Sequence, residues 1–245
     1  MKENKLNITV ATLLFLAILG IGAFFRLSHL SLMAYHHDES IHEYYSYQLY
    51  RYGPGAPQLG KSSPPYYSAV YHGPFLYHFS ALFFLLFGVN DFTGRLPFAV
   101  YGIAMLWIAY SLKLVTGHRK ALLIMLFCAV SPVLTYFSRF ARNDVLLGTD
   151  NLAMLAFTLL YFHTRKARYF LLAALAAVVG YCTKENSYVG GAVLCSFLVL
   201  YCVARLVPAI RPQLLRKILM IAAPIVAMAA LFVAPGKTLK TAAVP

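Results

Sequence analysis

The chain is 245 residues long, 60% hydrophobic and only 12% charged, with a formal net charge of +13 and a mean hydropathy of +0.68. That composition excludes a soluble globule and a disordered chain, and four cysteines with no Gly-X-Y period exclude a disulfide framework and a collagen-like fibre. An all-α integral membrane protein remains, in which an excess of Lys and Arg reports topology and not nucleic acid as a partner.

A hydrocarbon core of roughly 30 Å needs about 20 helical residues. Apolar runs near that length fall at 8–25, 97–115, 121–137, 145–162, 169–183, 187–204 and 218–234, which predicts seven spans. The first carries no small-residue cleavage pattern at Phe24-Phe25-Arg26-Leu27, so it reads as a retained anchor. An eighth run, 74–89, is shorter, opens at Pro74 and contains His78. If it lies along the interface, the clusters Lys113/Arg119/Lys120, Arg165/Lys166/Arg168 and Arg205/Arg211/Arg216/Lys217 all fall on the side of Lys2 and Lys5. Short cytoplasmic loops are enriched in Lys and Arg, so this places the N-terminus in the cytoplasm. The expected organisation is a single membrane domain over 1–245, with an external loop at 28–96 carrying juxtamembrane helices and the remaining spans at 97–234. Pro54-Gly55-Ala56-Pro57 through Ser62-Ser63-Pro64-Pro65 is an irregular stretch within that loop. Pro132 and Pro224 are expected to kink their helices. Cys128, Cys182, Cys195 and Cys202 match no zinc or redox spacing and read as packing residues.

Under this topology seven of the eight acidic residues, Asp38, Glu39, Glu43, Asp91, Asp144, Asp150 and Glu185, sit on or near the outer face. Carboxylates beside a membrane core are costly unless solvated, paired or used, which makes them site candidates. The densest group is Tyr35-His36-His37-Asp38-Glu39-Ser40-Ile41-His42-Glu43. On a helix Asp38 and His42 share one face and Glu39 and Glu43 another. The His-Glu-x-x-His zinc pattern is absent. Tyr71-His72-Gly73-Pro74 follows, then Ser138-Arg139-Phe140-Ala141-Arg142-Asn143-Asp144 and Thr183-Lys184-Glu185-Asn186. The planar fork of Arg suits phosphate. The Tyr-rich loop with Tyr44, Tyr45, Tyr47, Tyr50, Tyr66 and Tyr67 reads as an interfacial aromatic belt, with sugar stacking as the alternative. Together the groups suit a lipid-phosphate sugar donor: a carboxylate takes the acceptor proton while cations hold the leaving phosphate.

The order of these motifs resembles the GT-C glycosyltransferases that use polyprenyl-phosphate sugars, in the protein mannosyltransferase and aminoarabinose-transferase branch. It is closest to a prokaryotic group of flippase-activity-associated N-glycosylation membrane proteins. The matching residues are His37-Asp38-Glu39-Ser40, Tyr71-His72-Gly73-Pro74-Phe75-Leu76, Phe87-Gly88-Val89-Asn90-Asp91 with Arg95-Leu96-Pro97, Ser138-Arg139 with Asn143-Asp144, and Thr183-Lys184-Glu185. The resemblance implies a seven-transmembrane GT-C-like core with external juxtamembrane helices, in a multi-pass protein of the prokaryotic plasma membrane whose active face is external. It implies inverting transfer to a glycan, lipid or protein hydroxyl, with Asp38 as the base, Glu39 its partner and Asp144 the second acidic position. His37 joins Arg139, Arg142 and Lys184 as substrate-binding candidates. His72 matches a position that lies beside the base or binds metal, so a divalent metal is the one cofactor implied. Relatives continue with more spans and often an external domain after the position of Pro235-Gly236-Lys237, so the chain is expected to be a fragment, a minimal module or a partner-dependent subunit. Two other classes are a non-catalytic accessory protein for flipping lipid-linked sugars and an ion-coupled transporter, for which Asp150 is the deepest carboxylate.

Overall fold

The computed structural model describes residues 8–53 and 72–206, together with Lys217, Met220 and Ile221. The expected span 218–234, Pro224, Tyr66, Tyr67 and the irregular stretch at 54–65 lie outside the described residues. Every regular element described is a helix: α1 (Ile8–Leu27), α2 (His37–Tyr52), α3 (Phe75–Phe87), α4 (Asp91–Ser111), α5 (Lys113–Thr116), α6 (His118–Val130), α7 (Pro132–Ser138), α8 (Asn143–Thr164), α9 (Ala167–Thr183) and α10 (Ser187–Leu206). The chain divides into two compact units, Met1–Glu185 and Asn186–Pro245. In the second, α10 is an apolar helix long enough to cross a membrane.

The protein is an all-α multi-pass membrane protein. Among the described residues four stretches are long and apolar enough to cross, Ile8–Leu27, Asp91–Thr116, Asn143–Thr164 and Ser187–Arg205, and the bent pair α6 and α7 makes a fifth if it is one span. The 17-residue α9 sits at the lower limit of spanning length, roughly 17 residues. With 13 residues, α3 is too short to cross.

Within the first unit α4 is central. One face packs with α1 and α6 through Phe15, Ile18, Leu106, Ala109, Tyr110, Leu122 and Met125. The other packs with α3 and α8 through Leu76, Tyr77, Phe98, Met105, Val145 and Leu146. Lipid is as apolar as these side chains, so close approach and dispersion hold such helices together and small residues mark the crossings. A Cβ at Gly22 would strike Leu106, and one at Gly102 would strike Ser138.

The expected kink at Pro132 is a sharp break: α6 and α7 are bent by 61°. Proline has no N–H for the carbonyl four residues earlier, which here belongs to Cys128. Arg26, wholly buried near the end of α1, crosses to repair the break. Its Nη2 donates to the Cys128 carbonyl at 2.9 Å and its Nη1 to the Ala129 carbonyl at 3.2 Å, while Nε reaches the Ser138 hydroxyl at 3.2 Å. Arg26→Leu is expected to lower stability by about 1–3 kcal/mol, the cost of orphaning the Cys128 carbonyl, since Ala129 keeps the Thr135 hydroxyl as a donor at 3.4 Å. Thermal unfolding of the solubilised protein checks this; an unchanged midpoint would show that the break is held without Arg26.

Candidate functional site

The site forms at the end of the bundle where α1, α7 and α9 finish and α4 and α8 begin. Its first piece is the N-terminus of α2. His36 caps that helix, its Nδ1 accepting from the Asp38 N–H at 3.3 Å while Glu39 Oε2 accepts from the His36 N–H at 3.0 Å. Asp38 and Glu39 in the first turn also complement the positive end of the helix dipole. One residue apart on a helix, the two carboxylates point about 100° apart and meet different surroundings.

Glu39 is 1% exposed and saturated. Oε1 accepts from Arg95 Nε at 2.9 Å and from the Ala141 N–H at 2.9 Å, and Oε2 accepts from Arg95 Nη2 at 2.9 Å as well as from His36. Burial alone would raise this carboxyl, but the donors outweigh it and hold it below the ordinary carboxylate range. Two donors per oxygen leave no lone pair for a substrate proton. Glu39, expected to share the catalytic chemistry, is therefore placed as an anchor tying α2 to α4 and to the 139–142 turn. Arg95 completes the anchor by donating to the carbonyls of Leu30, Met33 and Ala34.

Asp38 is on the open side, 39% exposed at its side chain, with Arg142 Nη1 3.2 Å from Oδ2. Arg142 also lies 3.5 Å from Asp144, whose other oxygen is 3.7 Å from Lys184 Nζ. Four predicted residues from three regions of the chain thus form one alternating string of charge. Lys184 caps α9, and Asp144 lies in the first turn of α8. His72 arrives by a different device. The Gly73 N–H donates to the Thr183 carbonyl at 3.2 Å, satisfying part of the exposed end of α9, and a Cβ at Gly73 would run into the Cys182 carbonyl. This sets His72 Nδ1 3.0 Å from Glu185.

Two expected residues are not in the string. Arg139 bonds the end of α1, through the carbonyls of Phe25 at 2.7 Å and His29 at 3.2 Å. His37 lines a shallow surface depression with Ser40, Ile41, Tyr44 and Tyr45. His72 pairs with Glu185, and among the described residues no three His, Cys, Asp or Glu side chains converge.

His42, one turn beyond Asp38, shares a hydrogen bond of 3.2 Å with the Tyr77 hydroxyl of α3. Burial, then the charges of His72 and Arg142, push its pKa down to about 4 from 6.5, so it is neutral near pH 7. Between those two values the unfolded chain binds a proton that the folded chain refuses, so stability falls as pH drops from about 6.5 to 4. His42→Gln is expected to flatten that part of the melting-temperature profile. A wild-type slope retained in the variant would assign the acid sensitivity elsewhere.

Arg95 has no expected role from the sequence beyond its place in the matching motifs, and Tyr77 has none. The available signal for Arg95 was an Arg in the first turns of an apolar span, which demands a buried partner. Tyr77, in an apolar run, carried none.

A family model described as dolichyl-phosphate-mannose-protein mannosyltransferase matches residues 71–234. The match takes in His72, Arg142, Asp144 and Lys184 and begins after Asp38 and Glu39. No curated protein and no solved structure matches the chain.

Proposed function

We propose that this chain, which belongs to the dolichyl-phosphate-mannose-protein mannosyltransferase family and is therefore a membrane glycosyltransferase of the GT-C type, transfers a sugar from a polyprenyl-phosphate donor to an acceptor hydroxyl with Asp38 as general base. The observation that carries this reading is Arg142 held between Asp38 and Asp144 with Lys184 beyond. A solvent-reachable carboxylate lies next to two cations, at the end of a bundle whose apolar spans accommodate the lipid chain.

In this mechanism the acceptor oxygen attacks the anomeric carbon as its proton passes to Asp38. The bond from that carbon to the phosphate oxygen breaks, and the polyprenyl phosphate leaves with the electron pair. A single displacement inverts the anomeric centre. Arg142 and Lys184 offer their remaining N–H donors to the leaving phosphate, an interaction that strengthens as the bond breaks. Asp144 holds both cations in place. His42, neutral and bonded to Tyr77, adds no competing positive charge beside the base. The Lys and Arg clusters at 113–120 and 165–168, in loops at the opposite end of the spans, support an external position for this end of the bundle, with the N-terminus cytoplasmic.

Initial rates in proteoliposomes with a radiolabelled polyprenyl-phosphate sugar test the assignment. Lys184→Met is expected to lower kcat/KM by about 10², the typical effect of losing one donor to a developing negative charge. A rate unchanged by the substitution would remove Lys184 from the phosphate site. Movement of the lipid-linked sugar across the bilayer with no bond formed would instead establish the accessory reading.

A further inference from the structure

The end of the first unit opposite the string carries charge of one sign only. Lys113, Arg119 and Lys120 lie around the connection from α5 to α6, and Arg165, Lys166 and Arg168 around the connection from α8 to α9. The short α5 packs on both α6 and α8, which joins the two groups into one patch. No Asp or Glu occurs between 92 and 143 or between 151 and 184, and among the described residues none of these six cations meets a carboxylate. All but Lys113 are exposed.

Within the chain this arrangement is unfavourable. Arg119 and Lys120 stand in the first turn of α6 and Arg168 in the first turn of α9, and neither helix has an acidic residue there. A cation in that position opposes the positive end of the helix dipole, and like charges gathered in one patch repel one another. The acid-free sequence on either side offers no counter-charge, so the offsetting charge comes from outside these helices.

Two features put that charge in the membrane surface. The connections are a single residue, Gly117, and the pair Arg165 and Lys166, so the cations cannot rise far from the level of the helix ends. Their stems also lie on aromatic and apolar surface. Lys113 Nζ is 4.3 Å from the centre of the Tyr110 ring and the Arg168 guanidinium 4.8 Å from that of Tyr169, and Leu114, Val115 and Phe170 are exposed beside them. A charged head in water above a stem on apolar surface is how Lys and Arg sit at a bilayer interface. A nucleic acid or an acidic protein would leave those apolar side chains in water.

We propose that this patch binds the phosphate headgroups of anionic phospholipids in the leaflet at that end of the bundle, in preference to zwitterionic ones. The Arg forks and Lys ammonium groups bond phosphate oxygens. A zwitterionic headgroup brings its own ammonium, which the patch repels, so the lipid selected is the one with net negative charge. The proposal depends neither on the glycosyl-transfer reading nor on which leaflet lies at this end.

The single tryptophan, Trp107, is 55% exposed and is the natural probe. Its ring centre is 4.9 Å from that of Phe15, which lies 4.5 Å from that of Tyr110, the ring beneath Lys113. Quenching of Trp107 by dibrominated phosphatidylglycerol and by dibrominated phosphatidylcholine, with the full chain in mixed vesicles of the two lipids, gives the ratio of their binding constants. The anionic lipid is expected to be favoured at least about fivefold, the equivalent of about 1 kcal/mol for one Lys or Arg at an anionic surface. The ratio should fall toward one when Arg119→Gln is combined with Lys120→Gln, and when Arg165→Gln is combined with Lys166→Gln. Arg51→Gln, which removes an exposed cation at the end of α2, should leave it unchanged. The wild-type ratio should also fall toward one in about 1 M salt, where the screening length is about 3 Å, and this comparison stands even if a double variant does not fold. A wild-type ratio near one, a ratio indifferent to salt, folded double variants that keep the wild-type ratio, or an equal fall in Arg51→Gln would each overturn the proposal. So would loss of the preference on adding polyuridylate at matched phosphate, which would assign the patch to a soluble polyanion.

Discussion

Replacing Asp38 by Asn is expected to lower the transfer rate by about 10³, within the 10²–10⁴ that a positioned base contributes, while leaving the protein folded. The amide keeps the size of the carboxyl and can still accept from Arg142 but cannot take the acceptor proton. Asp38 and Arg142 are both partly exposed, at 39% and 33% of their side chains. Exposed pairs of this kind contribute about 0–1 kcal/mol, so the melting temperature should barely move. Initial rates and thermal unfolding measured on the same preparation separate the two effects. Full activity in the variant would remove Asp38 from the base role, and a collapse of stability would show that its pairing with Arg142 matters structurally.

Glu39→Ala, one residue along, is expected to do the reverse. It leaves the Arg95 guanidinium buried without its carboxylate and orphans the Ala141 and His36 N–H groups. Breaking a buried pair from one side costs about 3–5 kcal/mol, a large share of a typical folding stability. The pH dependence supplies a second readout. Because the folded-state pKa of Glu39 lies below the ordinary 4.5, its contribution is present above that value and disappears as pH falls through the folded pKa. The variant should lack this acid-dependent component. Thermal unfolding between pH 3 and 7 measures it, and a variant as stable as the wild type across that range would end the anchor role. Any loss of transfer in Glu39→Ala should follow the loss of fold, since Glu39 has no free lone pair to offer a substrate.

Much of the architecture was legible from hydropathy. The runs at 8–25, 145–162 and 187–204 became α1, α8 and α10 with ends displaced by two residues or fewer, because a membrane helix is defined by a long apolar segment that bonds its own backbone. The run at 74–89, expected along the interface, became the short helix α3. The fourth helix was misjudged at its start: α4 begins at Asp91, six residues before the apolar run, because Asn90 and Thr93 cap it reciprocally and its polar first turns face Glu39. The kink in the run at 121–137 was legible from Pro132 and not from hydropathy, while the buried Arg from α1 that bonds the freed carbonyl of the 61° bend was not.

The sequence alone determined the class of the molecule, the positions of most helices and the concentration of polar residues near their ends. These follow from local composition acting through one segment at a time. It also brought forward Asp38, Arg142, Asp144 and Lys184, which the fold joins into one string. Only the tertiary structure decided what each polar group does. Asp38 and Glu39 are neighbours with the same chemistry, yet Glu39 meets Arg95 56 positions later and the backbone of Ala141 102 positions later. Arg139 and Arg142 belong to one short turn, yet the first holds the end of α1 and the second meets the carboxylates. A side chain's availability is set by which donors, acceptors and charges the packed helices bring against it, and those partners come from distant segments that no local spacing encodes.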